Sequence, residues 1–119
     1  MPLRLLVVAN AERQIREAAR WWYENRPAAR ALLRQELTRG FELITTEPGV
    51  GTQALDVSLP EVRRLHLFRV RYHLYYRVKD KDAVEVLALW HTSRGEGPPI
   101  LFSPRKTKSR RSGERRLKR

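Results

Sequence analysis

Arginine, histidine and tyrosine alternate with apolar residues along one short stretch, and these side chains are the best suited to chemistry. Arg71, His73, Tyr75 and Arg77 occupy every second position between Val70 and Val78. Because successive side chains of a β-strand point to opposite faces, these four share one face and the apolar set shares the other. Two guanidiniums, an imidazole and a phenol suit phosphate, nucleic acid or an acidic peptide. An ordinary solvated strand face has the same pattern, so both interpretations stay open.

A second pair of such residues, His91 and Arg94, follows the next apolar run. Cleavage of RNA through the ribose 2′-hydroxyl needs a general base, a general acid and cations that stabilise the charged phosphorane. His73 and His91 are the candidates for acid and base, because imidazole titrates near neutral pH. The remaining parts of such a catalytic site would be Arg71, Arg77, Arg94 and Tyr75. His91 also has a plain structural alternative, which is to cap the end of a strand.

Other chemistries have less support. The chain has three histidines, no cysteine, and no His-x-x-x-His or Glu-x-x-His spacing, so we expect no metal site; His66 gives no distinct signal. Gly49-Val50-Gly51 lacks the Lys-Ser/Thr that completes a phosphate-binding loop, and no cofactor is expected. The apolar start, Met1–Val8, is too short for a secretory signal, and no run approaches the roughly 20 apolar residues of a membrane span. A cytoplasmic location is the expectation.

Hydrophobic periodicity predicts two helices after a short strand at Leu3–Val8. Asn10 is the expected N-cap of the first helix, which ends near Asn25. Its buried stripe should consist of Ile15, Ala18, Ala19 and Trp22. Pro27 suits the first turn of a second helix, which ends at Thr45–Gly49. The stripe of this helix is Ala29, Leu33, Leu37, Phe41 and Ile44.

Three strands should follow a loop at Gly49–Pro60: Val62–Phe68, Val70–Val78 and Val84–Trp90. The polar residues Lys79–Asp82 suit a hairpin between the last two strands. This order predicts an α+β fold, in which a helical hairpin packs on one face of a mainly antiparallel four-stranded sheet. The last strand is apolar on both faces, with Val84, Val86, Ala88 and Trp90 on one and Leu87 and Leu89 on the other. We therefore expect a partner to cover the face that the helices leave open.

Positive charge is concentrated at the C-terminus. The net charge is +12, and residues 103–119 hold nine positive side chains against one negative, which leaves +4 for residues 1–102. We predict one domain at 1–102, with residues 100–102 as an apolar clip, and a flexible basic tail at 103–119. The tail either aids solubility or binds nucleic acid in a salt-dependent way through Arg105, Lys106, Lys108, Arg110 and Arg111.

The element order and several short motifs resemble the RelE/ParE family of toxins from bacterial type II toxin–antitoxin systems. The likeness covers about residues 3–100 and includes Arg63-Arg64-Leu65, the 71–78 strand, and Val84–Leu87 running into Trp90–Arg94. Gly95–Pro99 resembles the ParE branch in particular. The resemblance implies a small cytoplasmic toxin that a cognate antitoxin neutralises, in a hetero-oligomer and in a plasmid-stabilisation role. ParE-type relatives act on DNA gyrase without catalysis, whereas RelE-type relatives cut messenger RNA in the ribosome.

The family shares one fold across these two activities, so the fold cannot choose between them. RNA-cutting relatives place an arginine where His73 stands and carry more lysines, which favours a gyrase inhibitor without enzymatic activity. In that interpretation the antitoxin- or target-binding residues are Arg71, Tyr75, Arg77, Leu87, Leu89, Trp90 and Arg94. The alternative is a ribosome-dependent endoribonuclease, and a third hypothesis is a nucleic-acid-binding accessory protein that uses its tail.

Overall fold

The computed structural model describes residues 2–100. Its elements are β1 (Arg4–Val7), α1 (Ala9–Asn25), a 3₁₀ turn (Pro27–Ala29), α2 (Leu32–Thr46), β2 (Thr52–Gln53), β3 (Arg63–Leu67), β4 (Tyr72–Asp80) and β5 (Ala83–His91). The sheet has the order β1-β5-β4-β3-β2, in which only β1 and β5 pair in parallel. The predicted α+β fold is confirmed. The sheet has five strands instead of four, because the predicted loop contributes β2, which is only two residues long.

The helical hairpin packs on one face of the sheet. α1 begins at Ala9, because the backbone of Val8 leaves β1 and already accepts a hydrogen bond from Glu12 N. The prediction that Asn10 caps this helix is therefore wrong; its side chain accepts a hydrogen bond from Arg13. Trp22 is buried and its indole donates to Ala29 O at 2.7 Å, which ties α1 to the 3₁₀ turn that precedes α2. Among residues 2–100, no helix has the length and apolar character to cross a membrane.

α2 lies close to the sheet at Gly40. A Cβ atom there would lie 3.2 Å from Leu67 Cδ2 and 3.3 Å from Leu74 Cδ2. The predicted stripe of α2 is confirmed where it meets the sheet, since Leu33, Leu37 and Ile44 are buried. They form one core with strand residues that include Leu74, Tyr76, Val84, Val86 and Leu89.

The turn between β3 and β4 removes Arg71 from the strand. Val70 N and Arg71 N both donate to Leu67 O, at 3.2 and 2.8 Å, and Arg71 has a φ of 63°. This left-handed conformation makes the turn without the glycine or asparagine that would favour it. The prediction that Arg71 shares a strand face with His73 is therefore wrong.

A β-bulge in β5 changes which side chains face the helices. Tyr75 pairs with Ala88 and Tyr76 pairs with Val86, so Leu87 is an extra residue on β5. The face alternation shifts at this point. Leu89 lies in the core beneath the helices, whereas Leu87 and Ala88 both lie on the opposite face. The prediction that Leu87 and Leu89 share a face is wrong for this reason.

The face opposite the helices is partly covered by the chain itself. The helices do leave this face free, as predicted, but Ala54, Leu59 and Val62 from the β2–β3 connection pack on it. They bury Tyr75, Leu87 and Ala88 to 1%, 9% and 1% exposure. The expectation of an open face is therefore wrong over its centre.

Candidate functional site

Tyr75 fastens the β2–β3 connection to the sheet. Its phenol donates to Asp56 Oδ2 at 2.6 Å, and Arg64 donates to the same oxygen at 3.2 Å. Burial and the bond to Asp56 raise the pKa of Tyr75 to about 12, so the phenol remains a donor. A Cβ atom on Gly97 would overlap Asp56, so the backbone after β5 crosses directly over this cluster. Tyr75 thus lies beneath the surface that a partner could reach.

The two histidines proposed for acid–base chemistry lie on opposite faces of the sheet. Tyr72 pairs with His91, and His73 pairs with Trp90. Directly paired side chains share a face, and consecutive ones alternate. Because Tyr72 packs against the core beneath the helices, His91 lies on that side and His73 on the other. The ring of His91 also accepts a hydrogen bond from Ser93 N at 3.1 Å, as a strand-end cap would.

The three candidate arginines do not converge. Arg77 Nε lies 3.0 Å from Glu85 Oε1, so its charge is already paired across β4 and β5. Arg71 lies in the turn just before Tyr72, and the five strand residues from Tyr72 place Arg77 roughly 17 Å further along β4. Arg94 stacks on Trp90, with Cζ 3.9 Å from the ring centroid. A single phosphate cannot contact all three guanidiniums.

A cleft of about 600 Å³ opens between α1 and the end of β5. α1 contributes Arg13, Glu17 and Trp21, which follow each other at spacings of four and so form one stripe of the helix. Trp90 and Arg94 form the opposite wall. Trp21 is 45% exposed, an unusual state for a large apolar ring. The cleft therefore combines accessible aromatic surface with two guanidiniums.

Hydrogen bonds hold the walls of this cleft in place. The indole of Trp90 donates to Glu96 O at 2.8 Å, and Leu89 N donates to Gln14 Oε1 at 3.0 Å. Tyr72 forms part of the floor; burial raises the pKa of its phenol, and the charge of Arg94 opposes this in part. The phenol is thus protonated near neutral pH, as a hydrogen-bond donor to a ligand should be.

A second cleft of about 510 Å³ adjoins the first, and the two share Arg13, Gln14 and Pro99. Its walls include Leu59 of the β2–β3 connection, the Arg77–Glu85 ion pair, and Ile100. We call the two clefts together the α1–β5 groove. Ile100 packs against the buried cluster on the sheet face opposite the helices, which contains Leu59, Tyr75 and Leu87, as predicted for the apolar clip. Leu101, Phe102 and the basic tail lie outside the described residues.

The α1–β5 groove collects five of the seven residues predicted to bind a partner. Leu89, Trp90 and Arg94 line the first cleft, and Arg77 and Leu87 line the second. Leu89, however, is only 3% exposed. Sequence reasoning missed Arg13, Gln14 and Glu17, since charged residues on a helix normally signify a solvated face; their spacing relative to Trp21 was the available signal.

Comparisons with known proteins point in one direction. A family model described as the ParE toxin of the type II toxin–antitoxin system, parDE, matches residues 6–95. A solved structure, the chromosomal ParDE TA system from P. aeruginosa, superposes with a TM-score of 0.63 at 16% sequence identity. That match covers 76% of this chain and 97% of the other, and at this identity it shows a shared fold. No curated protein sequence matches the chain.

Proposed function

Because this chain belongs to the ParE toxins of type II toxin–antitoxin systems, we propose that it acts by binding, with DNA gyrase as its target and a cognate antitoxin as its neutralising partner. The observation that carries this proposal is the separation of His73 and His91 by the sheet. It favours a binding toxin over an RNA-cutting one, and the ParE membership favours gyrase as the bound target.

The RelE-type alternative requires a general acid and a general base within hydrogen-bond reach of one substrate. With His73 and His91 on opposite faces, one bound phosphodiester cannot contact both rings. The candidate cations are also dispersed, since Arg77 is paired with Glu85 and Arg71 lies at the far end of β4. The separation of the two histidines and the dispersion of the arginines both argue against a ribosome-dependent endoribonuclease.

The α1–β5 groove is the surface that we assign to the antitoxin. The exposed ring of Trp21 and the half-buried ring of Trp90 suit apolar anchors of an incoming segment, and aromatic anchors in a cleft commonly dominate binding energy. Arg94 at the rim suits acidic side chains on the same segment, and Arg13 adds a second guanidinium, whose own ion pair with Glu17 is long, at 3.9 Å, and exposed to water. An acidic segment with apolar anchors would thus meet complementary charge and shape along one groove.

A supercoiling assay tests the gyrase target. The purified chain should inhibit supercoiling by DNA gyrase in proportion to its concentration, and the cognate antitoxin should relieve the inhibition. In parallel, messenger RNA translated in an extract with the chain should show no codon-specific cuts by primer extension. Cuts without gyrase inhibition would replace this proposal with the RelE-type alternative.

Substitution on α1 tests the antitoxin surface. Trp21→Ala should weaken antitoxin binding on the order of 10- to 100-fold, as loss of a hot-spot aromatic typically does. Tyr23→Ala is the matched control, because Tyr23 is on the same helix and 58% exposed but lies outside the α1–β5 groove. Equal losses of affinity for the two variants would place the antitoxin elsewhere.

The basic tail is tested by truncation. If the folded domain carries the toxicity, deletion of residues 103–119 should leave growth inhibition largely intact. Complete loss of toxicity would favour the third hypothesis, in which the tail binds nucleic acid and the domain is an accessory to it.

A further inference from the structure

His66 and His73 lie directly opposite each other in the β3–β4 pair, on the sheet face away from the helices. Their ring centroids are 5.0 Å apart and both side chains are half-buried. Together with Arg64 and Thr52 they line a depression of about 240 Å³, separate from the α1–β5 groove. Within residues 2–100 no ring nitrogen of either histidine forms a hydrogen bond, in contrast to His91. Two adjacent imidazoles thus have free lone pairs beside an accessible space.

The separation of the rings matches chelation of one metal ion. Imidazole nitrogens bind Zn²⁺ at about 2.0–2.1 Å, and the ring centroid lies about 1.2 Å beyond the nitrogen. Two such ligands at angles between 90° and 109° place their centroids roughly 4.5–5.3 Å apart. The observed 5.0 Å lies within this range. The backbone pairing of β3 and β4 therefore holds the two rings, which are tilted at 59° to each other, at a centroid separation compatible with chelation.

The guanidinium that lines the same depression as the two rings is already paired with a carboxylate. Arg64 would repel a cation, but its guanidinium is paired with Asp56 at 3.2 Å, which offsets that charge.

Although the sequence spacing predicted no metal site, the register of β3 against β4 brings two histidines together, and we propose that His66 and His73 form a binding site for one divalent first-row transition metal ion. Among the described residues no cluster of three or more candidate ligands exists, so water or a partner's side chain would complete the coordination. The preference should follow Cu²⁺ over Ni²⁺ and Zn²⁺, as nitrogen ligands generally do. This site goes beyond the proposed function and does not depend on it, since its test measures metal binding and not gyrase activity.

Titration of the untagged, metal-free full chain with Zn²⁺ or Cu²⁺ tests the site. We expect one ion per chain by calorimetry at about pH 7.5, and loss of binding at about pH 5.5 as the imidazoles become protonated. His66→Gln and His73→Gln should each abolish the one-to-one isotherm. His91→Gln is the matched control and should bind like the original chain, because the chain has only these three histidines and no cysteine.

A spectroscopic measurement keeps the test decisive if a variant fails to fold. Cu²⁺ bound to the original chain should give an electron paramagnetic resonance spectrum with two coordinated imidazole nitrogens. One nitrogen, no uptake of metal by the original chain, or a loss in His91→Gln equal to that in His66→Gln would each overturn the proposal.

Discussion

Replacement of Tyr75 with phenylalanine should lower the free energy of unfolding by about 1.5–2 kcal/mol and leave antitoxin binding unchanged. A hydrogen bond to a charged group typically contributes about 1.5–3 kcal/mol. The bonded carboxylate belongs to Asp56, whose side chain is 32% exposed, so water can replace the phenol there and the lower part of the range applies. Packing of the ring is retained in Tyr75→Phe, because only the hydroxyl is removed.

Urea unfolding followed by circular dichroism measures this loss. A double-mutant cycle with Asp56→Asn isolates the pair, and its coupling energy should be about 1 kcal/mol. Tyr23→Phe is the matched control, because the ring of Tyr23 is 58% exposed and its loss of a hydroxyl should change stability by less than about 0.5 kcal/mol.

Two results would refute the reasoning on Tyr75. A coupling energy near zero would mean that the 2.6 Å contact with Asp56 does not fasten the β2–β3 connection. A roughly tenfold loss of antitoxin affinity at unchanged stability would mean that Tyr75 contacts the partner directly, as the sequence pattern predicted.

Three further predictions concern the fold beneath the site. Leu89→Ala should destabilise the chain by about 2–5 kcal/mol in urea unfolding; an unchanged midpoint with weaker antitoxin binding would contradict its place in the core. Gly51→Ala should cost about 1–3 kcal/mol, since its Cβ would lie 2.7 Å from Arg64 O and 2.8 Å from Tyr76 Oη; an increase in melting temperature would contradict this close approach. The pKa of His73 is lowered from 6.5 on folding, so the unfolded chain binds more protons than the folded chain once the pH falls below about 6.5. The stability that the neutral ring of His73 contributes above pH 6.5 is therefore lost as the pH falls towards the folded pKa. His73→Gln should therefore flatten the fall in the urea midpoint between about pH 7.5 and 5.5; an equally steep fall in the variant would contradict the lowered pKa of His73.

The local periodicity of apolar residues was sufficient to predict the two helices, the main strands and their broad arrangement. The stripe of Leu33, Leu37 and Ile44 repeats with the helical period, and Leu74 and Tyr76 alternate with the strand period. Both periods follow from backbone geometry alone. The helical layer packs on the face of β4 that carries Leu74 and Tyr76, and the α+β order with its resemblance to toxins was evident from the residues.

Contacts between segments that are far apart in the sequence decided which side chains form the candidate site. The bulge at Leu87 arises only from pairing with Tyr75 and Tyr76, and it reverses the faces of every later residue in β5. The β2–β3 connection covers Tyr75 because Leu59 and Val62 find an apolar surface there, which a stretch without periodicity could not indicate.

The separation of His73 from His91 has the same origin. Their positions in the sequence are compatible with one site, and only the register of β4 against β5 places them on opposite faces. The register of β3 against β4 places His66 opposite His73. The turn between these strands contains no glycine or asparagine from which it could have been predicted. The amino-acid sequence by itself determined the elements, because their periods are local; the tertiary structure alone decided which side chains meet, because a one-residue shift in register exchanges the two faces of a strand.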